Sequence, residues 1–558
     1  MGLKLLAMLF VGLLSFGCSG SAVPAAESLP FTARSYPVDG PAECRVGEDG
    51  SLEVGLKRIT SVDELTVRFE LCSPDVAFLQ KISLVPFQID DSGYLQAHAQ
   101  DGVLSLRPNG TGPFAFSAWE RESQVVLTRN DEYWGDKAFV ESLVFQWQQD
   151  PSARLIQLKS GIADGIDNIT PTDAELLKND PSFQVLPRPA LSVMYMGFNN
   201  TMKPFDDVRV RQALAMALDR ERIVDTFYPD GSEVASHFTP CAIQGACGGA
   251  DWYAQDVATA KRLLAEAGFP NGFSTTLAYR DVTRRHTPYP TDIAVDVQSQ
   301  LADIGVTVTL DLQESTVFQD NRDTGKLTGI FLGGFGADYV DATNFMDYFF
   351  GPQSGPRFGV IPEKLQSLVS AAATTGDEVK RASLYAEAND LIRSEAIVVP
   401  IAFGSSALAF QSDVSYAEAS PLGNESFAPM QPGDRSSLVF LQSAEPGGLY
   451  CADEGDFESY RICSQINETL YGLIPGSTEL RPLLAESCTP SEDLLTWTCV
   501  LRPNVRFHNG AKLDASDVLD SFAAIWDCAS PLHKGRTGIF RYWGTLSSFL
   551  HEERCANN

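Results

Sequence analysis

Between Thr291 and Gly305 the apolar residues Ile293, Val297, Leu301 and Ile304 recur at i, i+4, i+8 and i+11, and the strand-like run VTVTLDL follows at once. That spacing puts them on one helix face, and a helix feeding straight into an apolar strand is the repeating unit of an α/β layer. The pattern recurs. LTGIFLGGFGADY reads as a buried strand ending in a polar turn, and a helix from about Asp377 to Glu395 leads into IVVPIAF. Upstream, DDVRVRQALAMALDRERIVDTF predicts one helix capped by Asp206 or Asp207, with Val210, Leu214, Ala217 and Leu218 on one face. A further helix runs from about Asp256 to Gly268, with Pro270 behind it as a stop signal. The stretch from about 195 to 405 is therefore expected to be an α/β lobe of its own.

The flanks carry a different period. Leu65, Val67, Phe69 and Leu71 alternate with polar residues, which predicts a half-buried strand, and GTGPFAFSAW with QVVLTRN predicts a hairpin. Ser412 to Asp434 is loop-like, with Pro421, Gly423, Pro429, Pro432 and Gly433, before a new strand in SSLVFLQ. Near the end, LLTWTCVLR places Leu495, Trp497, Cys499 and Leu501 on one face, and Asp514 with Asp517 reads as a helix-capping pair.

Length and charge bound the function. A chain of 558 residues has room for three or four domains or two large lobes, and 42 Lys+Arg against 72 Asp+Glu leave a net charge of −30. Such a charge repels phosphate backbones and anionic membranes, so nucleic acid is excluded as an expected partner. Lys4, the apolar run Leu5 to Leu14 and the small residues before Cys18 have the layout of an export signal over 1–18. The Gly17-Cys18 ending resembles a bacterial lipobox, which would make Cys18 a lipidated first residue; a plain cleaved signal is the alternative. Residues 19–43, rich in Ala, Ser, Pro and Gly, suit a flexible tether.

Ten cysteines remain beyond Cys18, an even number that favours disulfides in an exported chain. Three pairs are close in sequence: Cys241 with Cys247, Cys451 with Cys463, and Cys488 with Cys499. Cys44, Cys72, Cys528 and Cys555 allow three connectivities, of which Cys44 with Cys72 and Cys528 with Cys555 is preferred. No metal site is expected: there is no C-x-x-C, and His98, His237, His286, His508, His533 and His551 lack ligand spacing. Neither a nucleophile elbow nor a phosphate-binding loop is present, so no catalytic residue and no cofactor is assigned, and binding is favoured over enzymatic activity.

Several segments resemble one family. GTGPF, NDEYWG, YMGFNN with FDDVRVRQALAMALDRERIV, LLAEAGFPNGF, QLADIGV and GADYVDATNF are similar to the family 5 solute-binding proteins of ABC importers, the peptide and nickel type. The tail segments SLVFLQSAEP, ICSQINETLYGL, RPLLAESC, TWTCVLRPNVRFHNG and LDASDVLDSF resemble the opening segments of that family, yet here they come last. Joining the end near Leu550 to the start near Cys44 restores the family order, which implies a circular permutation rather than a fusion of two incomplete proteins. The implied fold is α/β, a two-lobed periplasmic-binding-protein-like architecture of the large type II class with an extra subdomain. The implied division is lobe I over 44–195, lobe II over 196–405, a return and permutation linker over 406–434, and the rest of lobe I over 435–558. Hinges are expected near 190–200 and 400–410.

The resemblance also implies roles. Asp338, after the strand GIFLGGF, matches the position that holds a peptide's α-amino group, with Asp341 as a competing partner. Phe335 stands where the family usually has Trp, and Tyr339 follows. Among Arg280, Arg284 and Arg285, Arg280 is the first choice for a ligand carboxylate and Arg285 the second. Gly455, Asp456 and Phe457 match a segment laid along the peptide, against an acidic surface turn as the plain alternative. The expected function is capture of an oligopeptide or dipeptide for an ABC transporter permease, by a monomer that is periplasmic or lipid-anchored to the cell membrane. The alternatives are a surface-anchored hydrolase of peptides or glycans, or a binding protein for a nickel complex, haem or an oligosaccharide.

Overall fold

The computed structural model describes residues 31–46, 52 and 55–555, so Cys18 and residues 19–30 of the expected tether lie outside the described residues. Ser192–Phe198, with the sequence SVMYMGF, is buried along its whole length. A strand apolar on both faces needs cover on both, and this one sits inside a six-stranded sheet. The order is Glu233–Val234, Val398–Phe403, Ser192–Phe198, Ile330–Gly336, Ser274–Tyr279, Thr307–Leu312. The helix Pro290–Ala302 turns Ile293, Val297 and Leu301 inward, as its spacing predicts. All buried members of this core fall between Ala190 and Phe403.

Two further sheets carry the rest. One has seven strands, ordered Phe114–Glu120, Gln124–Arg129, Ser142–Trp147, Ser437–Gln442, Gly165–Ile166, Ala407–Gln411, Phe183–Pro187. The other has five, ordered Arg34–Tyr36, Leu56–Asp63, Thr66–Leu71, Thr496–Leu501, Ala485–Pro490. In each sheet, a strand from the end of the chain is internal. Ser437–Gln442 runs parallel to both its neighbours, with Leu438, Phe440 and Leu441 fully buried. Thr496–Leu501 pairs antiparallel with Thr66–Leu71 and buries Trp497, Cys499 and Leu501. Beyond it the helix Ala515–Trp526 carries the predicted capping box of Asp514 and Asp517.

The seven- and six-stranded sheets are joined by two connections, 188–191 and 404–406. They are tied to each other. The Arg188 N–H donates to the Ser406 carbonyl at 2.8 Å, Ser405 Oγ donates to the Arg188 carbonyl at 2.6 Å, and Ser192 Oγ donates to the Gly404 carbonyl at 2.8 Å.

Three expectations are corrected. A lobe boundary at 195/196 would cut the strand Ser192–Phe198, so it moves to the connection at 188–191. The helix expected from Asp206 is two helices, Val208–Ala217 and Arg220–Phe227, because Asp219 accepts from the Arg222 N–H and starts the second. The stretch assigned to the tether holds an edge strand, Arg34–Tyr36, paired with Leu56–Asp63 and anchored by bonds from Tyr36 to Asp527 and from Arg34 to Asp520. Residues 406–434, expected as a return to lobe I and a linker, begin with the strand Ala407–Gln411 of the seven-stranded sheet and bury Glu425, Phe427 and Met430 completely.

Candidate ligand-binding site

A cavity of about 560 Å³ opens among both groups of elements, lined by Asp338, Phe457, Tyr460, Glu468 and Tyr542 among others. That volume is in the range of small-molecule sites. Asp338 reaches it because the strand Ile330–Gly336 ends two residues earlier, at the carboxyl edge of the sheet where α/β lobes present ligand groups. The turn is fixed by Asn344, whose Oδ1 accepts from the Asp338 N–H at 2.8 Å while its Nδ2 donates to Asp338 Oδ2 at 3.3 Å. Tyr542, on the short helix Arg541–Leu546, donates to Asp338 Oδ1 at 3.3 Å. Burial pushes the Asp338 carboxyl above its ordinary range, opposed by Asn344, Tyr542 and Arg285.

The competing acid is already engaged. Asp341 takes Arg381 through two bonds, at 2.5 and 2.9 Å, and also accepts from Thr343 Oγ1 at 2.7 Å. The structure thus separates the two Asp residues that the sequence left open.

Neither arginine choice lines the cavity. Arg280, the first choice, donates to Ser315 Oγ at 2.8 Å and lines a separate space of about 10 Å³, room for a single water. The strand Ser274–Tyr279 ends just before it, and Arg280 is not among the residues that line the large cavity. Arg284 is exposed. Arg285 is the one near Asp338: its guanidinium donates to the carbonyls of Pro421 at 3.1 Å and Ala337 at 3.4 Å, 6.0 Å from the Phe457 ring centre, but it is not among the residues that line the cavity. Burial and Arg188 bring it down to about 10, with Asp338 acting the other way, so it remains charged.

The remaining expected residues divide. Phe457 is 47% exposed at the cavity. Asp456 is the N-cap of the helix Phe457–Ile466, accepting from the Ser459 N–H at 2.7 Å, and Gly455 before it is exposed. Phe335 packs in an aromatic cluster with Phe345, Tyr348 and Phe349, its ring centre 5.2 to 5.3 Å from theirs. Tyr339 is buried and bonded to Thr343 at 3.1 Å. Neither Phe335 nor Tyr339 lines the cavity.

Sequence reasoning missed the opposite wall. Glu468 accepts from Tyr133 Oη at 2.7 Å and from Trp134 Nε1 and Thr111 Oγ1 at 2.8 Å each. Burial pushes its carboxyl up, and these three donors pull it back. The signal was the YWG run itself, since a buried Tyr and Trp each need an acceptor.

All five disulfides are formed: Cys44–Cys72, Cys241–Cys247, Cys451–Cys463, Cys488–Cys499 and Cys528–Cys555. The fold brings His237 to the second and His533 to the fifth, a proximity not apparent from spacing, but with both sulfur pairs oxidised no thiolate is available to a metal.

Residues 28–356 and 479–537 match the family of bacterial extracellular solute-binding proteins, family 5 Middle. The chain belongs to that family. This family 5 protein is 29% identical over 411 residues to the Di/tripeptide-binding protein 1 of Pseudomonas aeruginosa, covering 72% of its own chain and 75% of the relative. It is also 29% identical over 379 residues to Heme-binding protein A of Haemophilus influenzae, covering 67% and 69%. Among solved structures, HbpA2 from Haemophilus parasuis matches with a TM-score of 0.63 at 31% identity, over 68% of this chain and 75% of that one. DppA from Helicobacter pylori, solved in complex with peptide STSA, matches with a TM-score of 0.54 at 25% identity, over 69% and 72%. The mixed α/β fold with several sheets is thus similar to that of solved binding proteins.

Proposed function

We propose that this family 5 protein captures a peptide between its lobes and delivers it to an ABC permease without chemical change. The observation that carries this reading is the Asp338 carboxylate on the wall of the 560 Å³ cavity, with the Arg285 guanidinium close enough to act on it. A carboxylate there complements the α-ammonium of a peptide, and Arg285, which neighbours Asp338 without lining the cavity, is the group proposed for a carboxylate or peptide carbonyl. Phe457 supplies an apolar wall beside them. The lobes close about the connections 188–191 and 404–406, as only these two segments join the two large sheets. The names of the relatives, which include di- and tripeptide-binding proteins, support a short peptide.

We infer further that the chain is a circular permutation of the family order, acting as a monomer and held to the cell membrane through Cys18. Two observations support the permutation. The tail matches the same family as the body, and its strands are internal in two sheets rather than a separate unit.

The test is incubation with a mixed peptide pool followed by mass spectrometry of what is retained. Intact short peptides are expected. Cleaved products would instead favour the hydrolase, and co-purified haem, nickel complex or oligosaccharide would replace the peptide as ligand.

A further inference from the structure

Glu418 lines the same cavity from the segment that follows the strand Ala407–Gln411. Its Oε1 accepts from the Ser426 N–H at 2.6 Å. Its Oε2 is buried and makes no hydrogen bond of normal geometry, the Gly476 backbone N–H being the other donor that acts on the carboxyl. A buried carboxylate oxygen without a donor is costly, and folded proteins seldom keep one without a use.

The other buried acids on the cavity wall are satisfied. Glu425 is held by Arg188 at 2.6 Å and Arg461 at 2.8 Å, and Glu468 by its three donors. Nor do the cations of the cavity neutralise Glu418. Lys137, Arg481 and Arg502 line it, yet none forms an ion pair with Glu418 among the described residues, and Arg502 lies over the Trp134 ring at 4.4 Å. The charges that act on Glu418 are Glu425 and Arg188, and Arg188 is already committed to Glu425 and Asp167.

Resting on the peptide reading, we propose that Glu418 is a second cation-recognition group, which selects peptides carrying a basic side chain in addition to the α-ammonium. An ammonium or guanidinium arriving with the ligand would supply the missing donor to Oε2. Burial, with Glu425 adding to it, raises the Glu418 carboxyl to about 7 against the pull of the Ser426 N–H, Arg188 and the Gly476 N–H. Its preference for a cation should then strengthen as pH rises through that value.

The experiment is calorimetry on the full chain with matched tripeptides: Ala-Ala-Ala, and Ala peptides carrying Lys or norleucine at each position in turn. Norleucine keeps the apolar stem of Lys and removes its charge. For at least one position, Lys is expected to bind roughly ten-fold or more tighter than norleucine at pH 8, and the gap is expected to shrink at pH 6. Glu418→Gln, which keeps the acceptor for Ser426, is expected to abolish the gap and leave the norleucine and Ala-Ala-Ala affinities unchanged. Equal binding of Lys and norleucine peptides at every position overturns this inference alone, and so does a gap that survives Glu418→Gln. Failure of every tripeptide to bind overturns the peptide reading and this inference with it. Should Glu418→Gln fail to fold, the pH dependence of the wild-type gap decides, a gap constant from pH 6 to pH 8 overturning the proposal.

Discussion

Arg461 and Asp167 stand 294 residues apart in sequence and meet at 2.6 Å in the interior. Asp167 also receives Arg188 at 2.9 Å, and both guanidiniums reach Glu425, so four buried charges close a ring. The ring ties the strand Gly165–Ile166, the connection at 188–191, the segment 412–434 and the helix Phe457–Ile466. Burial alone would raise the Asp167 carboxyl, but Arg461 and Arg188 together outweigh it and hold it well below the usual range. Arg461→Met leaves both carboxylates with a single cationic partner, Arg188. The expected loss is about 3 to 5 kcal/mol, read by denaturant unfolding. A loss under about 1 kcal/mol would mean that the ring behaves like an exposed pair.

The sign of the pH dependence follows from the direction of each shift. Asp167, lowered in the fold, contributes stability above the ordinary carboxylate range and loses it as pH falls through its folded value. Asp347 is the reverse case. Burial raises it to about 7, with Asp341 and Asp75 adding to this and Lys81 and Arg381 opposing, and its Oδ1 has no partner. Its folded form keeps a proton that the unfolded chain has lost, so stability falls as pH rises from the carboxylate range to about 7 and is then level. Asp347→Asn should therefore stabilise the protein at pH 8 and change little at pH 4, in thermal unfolding at the two values. Equal effects at both would place the carboxyl in an ordinary state.

Phe440 sits at the centre of the seven-stranded sheet with no exposure, supplied by a strand from the tail. Phe440→Ala is expected to cost about 3 to 5 kcal/mol. If the tail were an appended unit, unfolding would split into two transitions and only the minor one would shift; a single shifted transition is the expected result.

The disulfides differ in the chain they close. Cys44–Cys72 spans 28 residues and Cys241–Cys247 spans 6. Loop entropy alone makes the longer bridge worth about 1.4 kcal/mol more. Paired Cys→Ser variants, compared by denaturant unfolding, should rank in that order.

Periodicity made much of the fold legible. The alternation ending at Leu71, the helix facing Ile293, Val297 and Leu301 inward, and the Asp514 cap all appear where the spacing puts them. A period tells which face is buried but not what stands opposite. Tyr133 and Glu468 are 335 residues apart, and Tyr542 and Asp338 are 204 apart, so no local pattern could join them. Arg280 and Arg285 lie in one connection after the strand, and which of them comes near Asp338 depends on how that connection leaves the strand. The break at Asp219 was hidden for the opposite reason: the apolar face continues across it, while a single capping side chain restarts the helix.

Asp338 gives the sharpest test of the ligand site. With Asp341 held by Arg381, Asp338 is the acid after this strand left to meet a ligand cation, and its present donors, Asn344 and Tyr542, are both at 3.3 Å. Charge-assisted bonds are shorter and stronger than these, so an α-ammonium can displace the Tyr542 hydroxyl and gain by it. Closure would bury the ammonium and carboxylate together, and removing one charge leaves the other unpaired. Asp338→Asn is expected to cost about 2 to 5 kcal/mol in binding a peptide with a free amino terminus, which is a loss of roughly thirty-fold to several thousand-fold. An N-acetylated peptide has no ammonium to lose, so its already weak affinity should be nearly unchanged by the substitution. Calorimetry of wild type and variant with both ligands separates the cases: selective loss for the free amine places the ammonium on Asp338, and equal losses for both ligands would assign Asp338 to the turn that Asn344 fixes.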